Sequence, residues 1–126
     1  MILSNSGRIL FSAYNVTATT NYVYDSDGAT GSDAGWTSAK SDNNAIGIGL
    51  TALGATSLTY RIEGRFDTYN RACEIYNASL TAITTIDTII NIAEHVKELR
   101  VGVKVNNSAT PTDNTIYIGL CNSEVK

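Results

Sequence analysis

Apolar and polar residues alternate through SLTYRIEGRF, the stretch Ser57–Phe66. Leu58, Tyr60, Ile62, Gly64 and Phe66 fall on one side of an extended chain, and Thr59, Arg61, Glu63 and Arg65 fall on the other. Successive side chains of a strand point to opposite faces, so this pattern predicts a half-buried β-strand of an antiparallel sheet. The same period recurs three more times. Ile46, Ile48, Leu50 and Ala52 alternate with Gly47, Gly49, Thr51 and Leu53. Leu99, Val101, Val103 and Val105 alternate with Arg100, Gly102 and Lys104. Ile116, Ile118 and Leu120 alternate with Tyr117, Gly119 and Cys121.

Weaker candidates fill the gaps. Residues 8–16 predict a strand with Ile9, Phe11 and Ala13 on one side, and residues 21–24 and 73–77 predict shorter ones. Residues 79–92 are rich in Thr and Ile, but Ile83, Ile86, Ile89 and Ile90 also fit helical spacing; strand and loop is the preferred reading. Residues 93–98, AEHVKE, predict one helical turn. The run DSDGATGSDAG at 25–35 and the Pro-containing run at 106–114 carry turn and loop residues. A short Gly-containing turn at 54–56 predicts a hairpin joining the strands on either side of it. Seven or eight short strands with regular turn signals and no long helix predict an all-β fold, a jelly-roll-like antiparallel β-sandwich. It would form one domain over residues 1–126, with residues 1–7 as an arm that docks, through Ile2 and Leu3, on a partner or on its own sheet.

Length and composition narrow the function more than the fold. At 126 residues and 43% hydrophobic, the chain suits one packed core. Charged residues make up 17% and the net charge is −3, without the clustered basic excess of a nucleic-acid binder. No apolar run reaches the length of a membrane-spanning helix, and the N-terminal residues lack the pattern of a signal peptide. Ser, Thr and Asn carry the polar share, which suits exposed strand faces and flat protein contacts.

Candidate chemistry is sparse. A hydrolase needs a nucleophile, a general base and an orienting group, and the sole histidine, His95, sits in the helical-turn candidate between Glu94 and Val96. Glu63 is flanked by Arg61 and Arg65, which keep a carboxylate ionised and unsuited to act as a general acid. These residues read as a compensated charge ladder, with a contact role as the alternative. Asp25 and Asp27 precede Gly28 as in the start of a calcium loop, but Trp36 stands where the closing Glu would be, so a solvated turn is preferred. Cys73 and Cys121 are isolated and read as buried, reduced side chains, with a disulfide as the alternative. Neither a catalytic site, nor a metal site, nor a cofactor motif emerges. Tyr14, Tyr22, Tyr24 and Trp36 make the N-terminal part aromatic. They read as packing on the sandwich, as an interface, or as a platform for sugar rings.

The stretches IEGRFDTYNRACEIYNAS and IAEHVKELRVGVKVNNSATPTDNTIYIGLCNSEVK resemble small virion proteins of tailed bacteriophages, of the capsid-decoration or cement type. The matching residues are Arg61 to Arg65, His95 to Val103 and Tyr117 to Leu120, and the similarity covers about the C-terminal half. The resemblance implies a non-enzymatic structural protein of the virion, oligomeric and expected to be a trimer, seated on the major capsid protein. The residues expected at contacts are Ile2, Leu3, Tyr22, Tyr24, Trp36, Ile46, Ile48, Arg61, Glu63 and Arg65. The alternative is a carbohydrate-binding or fibre-head module in which a glycan is the partner.

Overall fold

The computed structural model describes residues 3–39, 43–50, 57–66, 69–80, 86–94, 96–106 and 114–125. These residues form eight strands: β1 (Leu3–Asn15), β2 (Thr37–Ser38), β3 (Asn43–Leu50), β4 (Ser57–Phe66), β5 (Tyr69–Leu80), β6 (Ile86–Ile92), β7 (Glu98–Asn106) and β8 (Thr115–Val125). They make two four-stranded antiparallel sheets, ordered β1-β8-β3-β6 and β2-β7-β4-β5. β1 pairs with β8, β2 with β7, β3 with β6 and β4 with β5. First with last, second with seventh and so inward is the pairing of one long antiparallel ribbon rolled over on itself. That is a jelly roll, and the sandwich expected from the alternation is the fold.

The two inner faces make one core. Ile46, Ile48 and Leu50 of β3 join Ile116, Ile118 and Leu120 of β8 from one sheet; Leu58, Tyr60 and Ile62 of β4 join Leu99, Val101, Val103 and Val105 of β7 from the other. All are at most a few per cent exposed, so each side chain contributes on the order of 1.5–3 kcal/mol by leaving water. β-branched residues dominate because they fill a pleated inner surface with little loss of side-chain freedom.

Several local expectations give way to the topology. β3 and β4 do not form a hairpin: β3 lies between β8 and β6, and β4 between β7 and β5. Rolling the ribbon sends β3 and β4 to opposite sheets, and the turn at 54–56 lies outside the described residues. The helical turn at 93–98 is absent among the described residues; Lys97 instead donates its N–H to the Arg65 carbonyl at 2.9 Å and leads into β7. His95 lies outside the described residues. The candidate strand at 21–24 is a single bridge, in which Val23 and Val103 exchange both backbone hydrogen bonds at 2.9 Å. The ambiguous stretch 79–92 holds the end of β5 and all of β6.

The arm expected at residues 1–7 is the first part of β1. Leu3 to Gly7 pair in register with Val125 to Cys121, so the chain docks on its own sheet; Ile2 lies outside the described residues. Ile9, Phe11 and Ala13 do not share a side. The register slips between Ile9 and Phe11, where Gly119 and Ile118 are their consecutive partners, and the bulge at Leu10 sends the two side chains to opposite faces. Phe11 is 1% exposed and Ile9 is 78% exposed. A second slip follows at Ala13, which takes a left-handed φ of 48°. The cysteines are both exposed rather than buried, one on each sheet.

Tyr60 ties a pH dependence to this core. Burial first, and the neighbouring Tyr76 second, push its phenol from 10.0 up to about 12, and the two rings stack at 5.9 Å. Below pH 10 the phenol is neutral folded and unfolded, so nothing is lost there. Above it the unfolded chain ionises first, so stability falls as the pH rises from about 10 to about 12. Urea denaturation across that range should show the decline, and Tyr60→Phe should flatten it; an equal decline in the variant would contradict the assignment.

Candidate functional site

The face of β4 that the alternation assigns to solvent is covered. Arg61, Glu63 and Arg65 lie on it, and Glu63 is only 5% exposed. The cover is the long connection from β1 to β2, which runs along the free edge of β7. Val105 donates its N–H to the Ala18 carbonyl at 2.8 Å, Val23 bridges to Val103, and Thr37 pairs with Leu99. Val23 points its side chain into the core, so its neighbours Tyr22 and Tyr24 are turned onto the outer face.

Gly102 makes room for them. It opposes Arg61 across the β4–β7 ladder, and a Cβ there would lie 2.6 Å from Tyr24 Cε1 and 3.1 Å from Tyr22 Cβ. The connection then turns back through Gly35, whose φ of 73° and whose contact with the Tyr24 carbonyl both exclude a side chain. This brings Trp36 onto the same face.

The result is a ladder of alternating cations and rings. Lys104 Nζ lies 4.9 Å from the centre of the Tyr22 ring, and Arg61 Cζ lies 4.2 Å from it. Arg61 Nη2 donates to the Tyr24 hydroxyl at 2.8 Å. Arg100 Cζ lies 3.6 Å from the Tyr24 ring and 4.4 Å from the Trp36 ring, and Arg65 Cζ lies 4.4 Å from Trp36. The negative face of an aromatic ring attracts a guanidinium, by about 0.5–2 kcal/mol per pair depending on desolvation.

Arg100 is the hub. It is 3% exposed, its Nε donates to Glu63 Oε1 at 3.1 Å, and its Nη1 reaches the carbonyls of Gly31, Ser32 and Ala34 at 2.8, 3.3 and 3.0 Å. One buried guanidinium thus joins two strands and closes the loop over them. Arg65 forms the far end, with Nε 2.8 Å from Glu98 Oε1 and Nη1 3.8 Å from Asp33 Oδ1. The Trp36 indole N–H donates to the Ser32 carbonyl at 2.8 Å. Arg61 stays firmly charged: burial would lower its pKa, but the Tyr24 hydroxyl and the Glu63 carboxylate, 3.6 Å from Nη2, outweigh it and the net direction is up.

The expected contact residues therefore separate. Tyr22, Tyr24, Trp36, Arg61, Glu63 and Arg65 come together, but bound to one another. Tyr24 and Glu63 are buried, and the faces of Tyr24 and Trp36 are taken by guanidiniums, so these rings are not an open stacking platform. Ile46 and Ile48 are core residues at 0% and 2% exposure, because the inward side of β3 carries the side chains and the outward side carries the glycines, so their side chains are not part of the surface. Leu3 opens β1 and pairs in register with Val125 of β8. Arg100 and Lys104 were missed as site residues. The signal was present: both share a face with Gly102, as Arg61 and Arg65 share one with Glu63.

Asp25 closes its own turn. Its Oδ1 accepts from the backbone N–H groups of Asp27 at 2.9 Å and Ala29 at 3.2 Å, the arrangement of a solvated Asx turn. Among the described residues no group of three or more metal-ligating side chains comes together.

The other sheet presents the opposite texture. Across β1, β8, β3 and β6, Ile9, Gly119, Gly47 and Ile89 stand side by side in one row of the ladder. Ile9 and Ile89 are 78% and 74% exposed, and a Cβ added at Gly47 would meet nothing within 4 Å. Two isoleucine ridges thus flank a glycine floor. Gly49 and Tyr117 extend the trough, which encloses about 690 Å³, and Asp87 is the charged residue that lines it.

The chain matches no protein-family model, and no curated protein matches it.

The ladder carries a stability prediction. Arg100→Met leaves Glu63 buried beside a weaker partner and should cost about 3–5 kcal/mol in urea denaturation. Adding Glu63→Leu removes the stranded carboxylate, so the double variant should lose clearly less than the sum of the single losses. Strict additivity would show that the pair is not coupled.

Proposed function

We propose that this protein is a non-enzymatic structural component of a bacteriophage virion, which decorates and stabilises the capsid by binding across its subunits. The supporting observation is the trough on the outer face of the β1-β8-β3-β6 sheet: an exposed apolar strip whose middle is backbone and whose rims are isoleucine. A glycine floor lets another backbone or an apolar side chain approach the sheet closely, and a nearly uncharged face avoids stranding ions on contact. Exposed aliphatic side chains on a regular, rigid strand row are poor catalytic groups and good docking groups.

Jelly rolls recur among viral capsid domains and lectins, so the fold agrees with the resemblance noted in the C-terminal half, while the choice between those roles rests on the surface. In this reading the partners are the major capsid protein and further copies of the chain, with a trimer as the assembly. The mechanism is stapling. Contacts to several capsid subunits hold each of them in place, and binding to the assembled shell rather than to free subunits stabilises the shell by mass action. The protein acts on the virion, and nucleic acid and membrane play no part.

Co-sedimentation with purified tailed-phage capsids, alongside solution mass, tests this. The wild type should sediment with the shells. The variant Ile9→Glu/Ile89→Glu should stay in the supernatant with an unchanged melting temperature, since both side chains are exposed. Undiminished occupancy by that variant, or no binding by the wild type, would overturn the reading.

A further inference from the structure

The ladder on the β2-β7-β4-β5 sheet is not uniformly compensated. At the Arg65 end, Glu98 and Asp33 answer one guanidinium. At the other end Arg61 and Arg100 share Glu63, and Lys104, set against the Tyr22 ring, has no carboxylate partner among the described residues. A positive excess is therefore concentrated at one place on a chain whose net charge is −3.

A groove of about 430 Å³ opens at that end. Arg61 and Arg100 line it, and Thr20, Asn21, Thr30 and Ser32 surround them with hydroxyl and amide groups. Arg61 still has hydrogen-bonding capacity to give. Its protein contacts run through Nη2, and its Nε is the buried side-chain nitrogen without a partner among the described residues. That nitrogen is itself closed off from the groove, but the Arg61 side chain is 27% exposed and its Nη1 has no hydrogen bond among the described residues, so an acceptor arriving in the groove meets a charged donor.

We infer that this groove binds a carboxylated sugar, a uronic acid, with the carboxylate on Arg61 and the ring hydroxyls on the Thr, Ser and Asn side chains. A planar guanidinium matches a carboxylate in shape and charge. The polar rim supplies donors and acceptors for hydroxyls. Recognition by charge and hydrogen bonds is also what remains when the ring faces of Tyr24 and Trp36 are already taken. This site lies on the sheet opposite the glycine trough, so it goes beyond the docking reading and stands or falls apart from it.

The test is titration of the ¹⁵N-labelled full chain with glucuronate, glucose and acetate, followed through backbone amide shifts. Glucuronate should shift the amides of Asn21, Tyr22, Gly31 and Ser32 saturably, more weakly as salt is added. Arg61→Gln should weaken its binding about tenfold or more, the worth of a charge-assisted hydrogen bond. Lys104→Gln, at a half-buried position where the fold is not at risk, should weaken it severalfold. Absence of saturable shifts, equal binding of glucose, or full retention of affinity in Lys104→Gln with Arg61→Gln would overturn the proposal. Acetate binding as tightly as glucuronate would overturn the assignment to a sugar.

Discussion

One buried ion pair organises half of this molecule. Arg100 and Glu63 face each other across β7 and β4, and both are almost fully removed from water. Such a pair is costly to desolvate, and it holds only if the remaining donors are satisfied. Here three carbonyls of the β1–β2 connection and the rings of Tyr24 and Trp36 complete the shell around Arg100. The charge thus recruits the cover that its burial requires. Within that connection the Gly-, Ser- and Asp-rich stretch 25–35 closes over the guanidinium through the carbonyls of Gly31, Ser32 and Ala34.

The sandwich consequently has two unlike outer faces. One is occupied by its own chain: the cations of β4 and β7 are interleaved with rings and are bound to one another. The other is bare, with glycines where β3 and β8 run side by side and isoleucines at the rims. A face that has already satisfied its groups resists reshaping by a partner, except at the end where cations outnumber carboxylates. A bare face with Asp87 as the one charge among the described residues lining its trough gains by being covered. The division underlies both proposals, docking on the β1-β8-β3-β6 sheet and small-ligand binding at one end of the other.

Much of the fold was legible because strand alternation reports burial directly. The inward sides of β3, β4, β7 and β8 follow from period two, and the strand positions follow with them, except that Phe66, beyond a register slip after Gly64, is 47% exposed instead of joining Leu58, Tyr60 and Ile62. That β3 and β4 do not pair was not legible, because a short Gly-containing turn looks the same whether it joins neighbours in a sheet or carries the chain to the other one. The opposed fates of Ile9 and Phe11 were hidden too, since a bulge is an extra residue in the pairing and leaves no mark on composition. For the site, the aromatic residues and the charges of β4 were identified, but as separate surfaces. Their union depends on the β7 edge being free, a property of strand order.

By itself, the sequence determined the apolar sides of the central strands β3, β4, β7 and β8: alternation separates their two sides, and the hydrophobic effect acts on each side locally. It also determined the supply of chemistry, with cations at Arg61, Arg65, Arg100 and Lys104 and glycines at 47, 49, 102 and 119. The tertiary structure decided what the polar sides meet. Whether a strand's outward face sees solvent, a loop or a partner depends on contacts between residues far apart in the chain, such as Arg100 with Gly31, and no local period records those. That is why Glu63, assigned to solvent by its place in the alternation, is buried, while Ile9, expected on the same side as the buried Phe11, stands exposed.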